Sequence, residues 1–442
     1  MRGVWLSALA LALALLCAPA VEAQQILPGF PPGVFQDRAA LDASGGVVTP
    51  TYSYNFPTSG VIDSGNMTYT GSLGTYIDSS AHLVAATTNA ARFDYSPTSV
   101  GTPVGLLIEE PRKNYLLQSN GFGTTWGPVH LTQSKNVTGI DGTTSAWTFT
   151  AAAGSYQAVT GQSITSNGTF SETLYVKKGT WNYIFLMVQG QTANYWATAI
   201  FDLNAGAMTQ SAVGTTGGTI ASTSVTPAGN SFYRIDITGT VAGLANYNPQ
   251  FGFANTATGN SFDTYGQPVA RTWAGTETFI ATDAQIEFGN SPTSYVPTTT
   301  ATVTRTADVL QLTGGALATC LGGAAGSVAV KTPDGQAATV GTLLSENGVV
   351  ELGETAANKA TTAVGTALTS SNTATWTGAN DTGLSWSTTA GLIDLNATVT
   401  SDAVSRAPGA NFYLGSNAGT SAFWNGHFTS IACYNTYQAA PQ

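Results

Sequence analysis

The chain has 442 residues, of which 43% are hydrophobic and only 9% charged, with a net charge of −10. Typical globular chains are roughly a quarter charged. So low a share, with 50 glycines and abundant Thr, Ser and Ala, speaks against long helices and for an all-β protein with a neutral polar surface. The acidic balance, without any Lys/Arg cluster, excludes nucleic acid and anionic membrane as partners, and 10% aromatic residues supply enough apolar area to exclude disorder.

Residues 1–23 read as a secretory signal: Arg2 precedes an apolar run from Trp5 to Leu16, too short to span a bilayer, and Val21-Glu22-Ala23 is a small-x-small cleavage site. No later stretch is apolar enough to cross a membrane, so no membrane insertion is expected after signal removal. Residues 24–104 form an irregular leader or attachment segment with short strands, such as Met67-Thr68-Tyr69-Thr70 and Arg92-Phe93-Asp94-Tyr95.

Residues 105–300 read as one antiparallel sandwich, a jelly roll. Short strands are expected at 146–149, 170–176, 182–188, 197–203, 233–237, 251–253 and 279–288. Between them stand turn signals such as Lys178-Gly179, Asn204-Ala205-Gly206 and Tyr265-Gly266. Gln285 to Phe288 alternates as a half-buried strand, Ser291-Pro292-Thr293-Ser294 is turn chemistry, and Tyr295-Val296-Pro297-Thr298 an extended, proline-limited edge. Residues 301–442 repeat the style in a second sandwich. The fold class expected is therefore all-β, two tandem β-sandwich modules after a signal peptide and an irregular segment.

The chemistry-bearing residues are sparse. A glycoside hydrolase needs two carboxylates on one face, but Glu109 and the adjacent Glu110 point apart on a strand, as do Glu351 and Glu354. Three scattered histidines, His82, His130 and His427, supply neither a serine triad nor a zinc site. Asp141, Asp202 and Asp283 are candidate ligands for a structural calcium ion, although Asp beside Gly or Asn is also a turn residue. Cys320 and Cys433, the cysteines outside the signal, make one disulfide possible. Aromatics carry the sharpest binding clue, because sugar rings stack on exposed Trp and Tyr faces. Trp181 and Tyr183 share strand parity, Tyr195 and Trp196 sit beside Gln191 and Asn194, and Trp273 lies in loop-like surroundings.

Arg92-Phe93-Asp94-Tyr95, Gly105 to Glu110, Asn114 to Ser119, Leu174 to Thr180, Phe232-Tyr233-Arg234, Ala284 to Glu287, Thr293 to Thr298 and Thr304 to Asp308 follow one another in order across roughly residues 90–310. In that order they resemble the head-spike and tail-fibre proteins of tailed bacteriophages and prophages. The resemblance implies a carbohydrate-binding-like jelly roll followed by a concanavalin A or laminin-G-like sandwich. It implies a non-catalytic virion component that binds cell-surface polysaccharide, alongside other virion or fibre subunits and as a homotrimer. A signal peptide departs from that family's pattern and leaves an exported bacterial lectin or adhesin as the alternative, with a polysaccharide depolymerase third.

Overall fold

Period-2 alternation organises nearly every segment of the chain into antiparallel ladders. The computed structural model describes residues 40–438, except 42–46, 154–156, 166–167, 242–245, 270–271, 316–320, 335–340, 347–348, 355–359, 365–366, 372–379, 388–390, 397 and 403–410. The signal-peptide reading and Cys320 lie outside the described residues, and so do the side chains of Glu351 and Glu354. No helix among the described residues is long and apolar enough to cross a membrane.

The first sandwich pairs two sheets. One runs Gly127–Val129, Ala158–Thr160, Asn246–Phe253, Tyr183–Gly190, Trp196–Asp202, Ala207–Val213, with Ile164–Thr165 added alongside Asn246–Phe253. The other runs Leu131–Val137, Ala146–Ala151, Thr278–Phe288, Phe170–Lys178, Tyr233–Thr240, Thr219–Pro227. Between them lies a core that includes Phe149, Leu174, Leu186, Phe201, Ile237, Phe251, Phe279 and Ile286. The protein is all-β, as its composition implies.

The second sandwich is discontinuous. Its larger sheet runs Ala367–Ser371, Ala360–Val364, Val349–Glu354, Gly341–Glu346, Phe412–Leu414, Val309–Leu312, Met67–Thr70, and its smaller one Tyr52–Asn55, Ser430–Tyr434, Gly326–Thr332, Asn380–Trp386, Gly391–Leu395, Thr398–Asp402. A third ladder joins Gly426–Phe428, Pro103–Ile108 and Arg92–Tyr95. Phe56, Met67, Leu106 and Ile108 are buried in the same core as Leu310, Val328, Trp386 and Ile431. Segments of 24–104, expected as a leader, thus complete the second sandwich, and the first is an insertion into it. The physical reason is burial: Phe56 and Met67, at 0% and 1% exposure, share one core with strands from the far end of the chain, such as Val309–Leu312 and Ser430–Tyr434.

The seam between the sandwiches is built from the residues that carry the family resemblance. Arg92, Arg305, Glu109 and Asp308 are buried together. Arg92 Nη1 stands 2.7 Å from Glu109 Oε2 and its Nη2 pairs with Asp308. Arg305 is 3.6 Å from Glu109 and 3.5 Å from Asp308. Ser294 donates its N–H and hydroxyl to Glu109 at 2.7 and 2.6 Å. Burial alone would raise the Glu109 pKa, but the charges of Arg305 and Arg92 and the Ser294 hydrogen bonds hold it well below the usual carboxylate range.

The 291–298 segment, expected as a turn and an edge, lies across the outer face of the insert sheet that contains Thr278–Phe288. Thr293 N–H and hydroxyl bind Glu287 at 2.6 and 2.8 Å, Val296 N–H binds Gln285 Oε1 at 2.7 Å, and Asn114 Nδ2 donates to the Val296 carbonyl at 2.9 Å. This explains why Gln285 and Glu287, polar and facing away from the core, are 0% exposed.

Candidate functional site

The strand Tyr183–Gly190 is apolar on both faces. Ile184, Leu186 and Val188 enter the main core, whereas Phe185 and Met187 point outward into a smaller cluster with Ala158, Ile200 and Ala254. The 254–269 segment crosses this outer face and covers it. Thr198 Oγ1 donates to the Gly266 carbonyl at 2.8 Å, Gln210 Nε2 to the Asn260 carbonyl at 2.9 Å and Gln267 Nε2 to Gln250 Oε1 at 2.8 Å.

The covering segment leaves one end of the face open. There Gln189 stands opposite Asn248, and Asn246 opposite Thr165. Directly opposed residues share a face, and so do residues two apart on a strand. Gln189, Gln191, Asn246, Asn248, Ser163 and Thr165 therefore form one surface, and all six are half-buried or exposed. Asn246 Nδ2 donates to Gln191 Oε1 at 3.2 Å, Thr165 Oγ1 to Asn246 Oδ1 at 2.9 Å and Gln191 Nε2 to Ser163 Oγ at 3.3 Å. Each amide keeps donor or acceptor capacity beyond these bonds. The surface carries hydrogen-bonding groups of both senses and no charge.

Tyr265, 43% exposed, borders this surface. Its neighbour Gly266, at φ 86°, lies so close to the Trp196 ring that a Cβ would sit 2.4 Å from it, and Trp196 is the register partner of Gln189. Gly266→Ala is expected to lower stability by about 1–3 kcal/mol and displace Tyr265. A thermal melt checks the first effect, and a melt equal to that of the parent chain would contradict it.

The expected aromatic platform is not formed. Trp196 and Trp273 are 6% and 3% exposed, with Trp196 under Phe262 at a ring distance of 5.5 Å. Trp181 precedes its strand and turns against Trp273 at 5.5 Å and Tyr183 at 5.8 Å, its Nε1 donating to the Ala254 carbonyl at 2.9 Å. Tyr195 is half-buried against the main core and Tyr183 against the outer cluster. These rings fill protein, because parity says which residues share a face but not whether that face is covered.

The expected calcium ligands do not converge. Asp141 accepts from Thr143 N–H, Thr143 Oγ1 and Ser145 Oγ at 3.0, 2.7 and 2.6 Å, and Asp202 from the N–H groups of Asn204 and Ala205 at 2.8 and 3.3 Å. Both cap their own turns. Asp283 is buried at a register shift in its strand, with φ 51°. Burial pushes its pKa up to about 7, against the hydrogen bond from Thr282. Among the described residues no three His, Cys, Asp or Glu side chains group to hold a metal. Cys433 is buried and disulfide-bonded.

The remaining ionisable candidates are committed to structure. Glu109 is locked between two arginines, and Glu110 Oε1 accepts from Arg112 and Asn425 at 2.5 and 2.7 Å. His427 lies between Asp334, 2.6 Å from Nδ1, and Asp94, 2.8 Å from Nε2. Burial lowers its pKa, but the two carboxylates outweigh that and push it up to about 10. The ring is therefore an imidazolium at neutral pH and cannot act as a base.

No family model matches this chain, and no curated protein does. Among solved structures, Trypanosoma rangeli sialidase in complex with sialic acid overlaps 66% of this chain and 58% of its own, at 11% identity and a TM-score of 0.22. The chain thus spans under two thirds of that protein's length, and an overlap of that quality carries no argument about either fold or activity.

Proposed function

We propose that the chain is a non-catalytic, phage-derived spike or fibre protein that binds cell-surface glycans through its β-sandwich modules. The phage origin rests on the resemblance across residues 90–310. The glycan reading is carried by the uncharged surface of Gln189, Gln191, Asn246, Asn248, Ser163 and Thr165 with Tyr265 at its border. Sugar hydroxyls are paired donors and acceptors, and side-chain amides match both roles without the desolvation cost of a charge. A shallow surface of this kind binds each site weakly, so display on a homotrimer raises the working affinity through repeated contacts. The leader at 1–23 favours the second reading, an exported lectin with the same binding surface. Detection of the chain in purified particles supports the virion reading, and its recovery only as a free secreted protein supports the other.

The test of glycan binding is an array of neutral and anionic polysaccharides probed with the purified chain. Retention by at least one neutral glycan is expected, with little effect of salt, because no ion pair is involved. A folded chain that is retained by none of them overturns the reading.

A further inference from the structure

A second, separate recess lies at the seam of the two sandwiches. It has a volume of about 200 Å³ and is lined by Glu110 and Arg112 from the segment after Pro103–Ile108, Gly289, Asn290 and Ser291 from the end of the insert, and Ala422, Phe423 and Asn425 from the second sandwich. It exists only where both sandwiches meet. Asn425 closes a reciprocal pair with Glu110: Asn425 Nδ2 donates to Glu110 Oε1, and Glu110 N–H donates to Asn425 Oδ1, both at 2.7 Å. Asn425 and Ala422 hold φ values of 52° and 48°. Left-handed backbone costs a non-glycine residue about 1 kcal/mol or more and collects at ligand clamps. The Arg112 guanidinium lies flat on Gly289, where a Cβ would come within 2.0 Å of it.

The lining decides the chemistry of the occupant. Arg112 spends Nη2 on Glu110 at 2.5 Å and Nη1 on the Phe288 carbonyl at 2.6 Å, and its Nε faces Glu287 at 3.8 Å. Glu110 balances its charge, so an anion meets no net positive charge. Glu110 is neutralised by Arg112, so a cation meets no net charge. Phe423, 8% exposed, is too covered to hold an apolar ligand. What remains open is Glu110 Oε2, which has no hydrogen-bond partner among the described residues, with the Asn290 amide and the Ser291 hydroxyl. Pockets for drug-sized ligands run to about 300–1,000 Å³, so this recess suits one ring.

We infer that the seam recess binds a single neutral monosaccharide residue, with Glu110 Oε2 accepting from its hydroxyls and Asn290 and Ser291 contacting its rim. This site is independent of the sheet-face surface above.

Saturation-transfer NMR on the full chain tests it, with methyl glycosides of glucose, galactose, mannose, fucose and N-acetylglucosamine as probes. At least one is expected to bind. Asn290→Trp, which fills the recess from an exposed position, is expected to weaken that binding at least tenfold at an unchanged melting temperature. Glu110→Gln, which keeps the shape and removes the charge, is expected to weaken it as well. In a Gln191→Ala/Asn246→Ala background, which removes the sheet-face surface, a recess signal is expected to persist and to fall when Asn290→Trp is added. Silence from all five probes, or an undiminished signal in folded Asn290→Trp, overturns the inference. So does a signal lost only in the Gln191→Ala/Asn246→Ala variant, which would assign the binding to the sheet face.

Discussion

Arg92→Met is expected to destabilise the protein by about 3–5 kcal/mol, the cost of breaking a buried ion pair by removing one partner. Arg92 is 1% exposed and serves four groups at once: Glu109, Asp308, the Ser294 hydroxyl at 2.7 Å and the Thr75 carbonyl at 3.1 Å. Its loss leaves two buried carboxylates with Arg305 as their one nearby cation. A hydrophobic replacement cannot relieve them, because burying a carboxylate with too little positive charge is the expensive state. Urea unfolding checks this, and a midpoint within error of the parent chain would contradict it. The same network sets the acid limit. The folded pKa of Glu109 lies below its unfolded value, so its contribution is complete above about pH 4.5 and is lost as the pH falls toward the folded value. Thr75 lies outside the insert and Ser294 near its end, where Thr75 Oγ1 also donates to the Tyr295 carbonyl at 2.8 Å, so the loss should also loosen the docking of one sandwich on the other.

Glu172→Gln is expected to raise stability, and to raise it more as the pH increases. Strand parity places Glu172 with Phe170, Leu174 and Val176 on the core-facing row, and its register partners are Ile237 and Ile286. It is 2% exposed and its Oε2 has no hydrogen-bond partner. Burial raises its pKa well above 4.5. Between about pH 4.5 and the raised folded value the unfolded chain gives up this proton while the folded chain keeps it. Stability therefore falls with rising pH by about 1.4 kcal/mol per unit in that window and levels off above it. The glutamine variant lacks this slope. Urea midpoints of both chains at pH 5 and pH 7.5 should diverge with pH, and parallel curves would show that the Glu172 carboxyl finds a charge-stabilising partner.

The anomaly at Glu172 was legible in the sequence, because Phe170 to Val176 reads as a strand and alternation puts the glutamate on its apolar side. The strands and the sandwich class were legible for the same reason: they depend on local periodicity. Pairing was not. Nothing in Met67-Thr68-Tyr69-Thr70 says that its ladder partner is Val309–Leu312, since a two-residue period is compatible with any sheet edge. Likewise Trp181 with Tyr183, Tyr195 with Trp196, and Trp273 were expected as sugar-stacking faces, yet Trp196 and Trp273 are buried and Trp181 packs on Trp273. The amide surface left a fainter signal, the i, i+2 pairs Gln189/Gln191 and Asn246/Asn248. The motif-like stretches around Arg92, Glu109, Thr293 and Asp308 specify how the insert is fastened, which explains an ordered set of residues that contains no reactive group.

The most direct measurement is calorimetric titration of the best-retained neutral glycan into the parent chain and into Gln191→Ala/Asn246→Ala. Both positions lie on the open end of the sheet face and away from the core, so the variant should melt with the parent. An affinity at least tenfold weaker in the variant, matching the loss of two or more hydrogen bonds of about 1 kcal/mol each, is the predicted result. Equal affinity in the two proteins would contradict the placement of the glycan on this face.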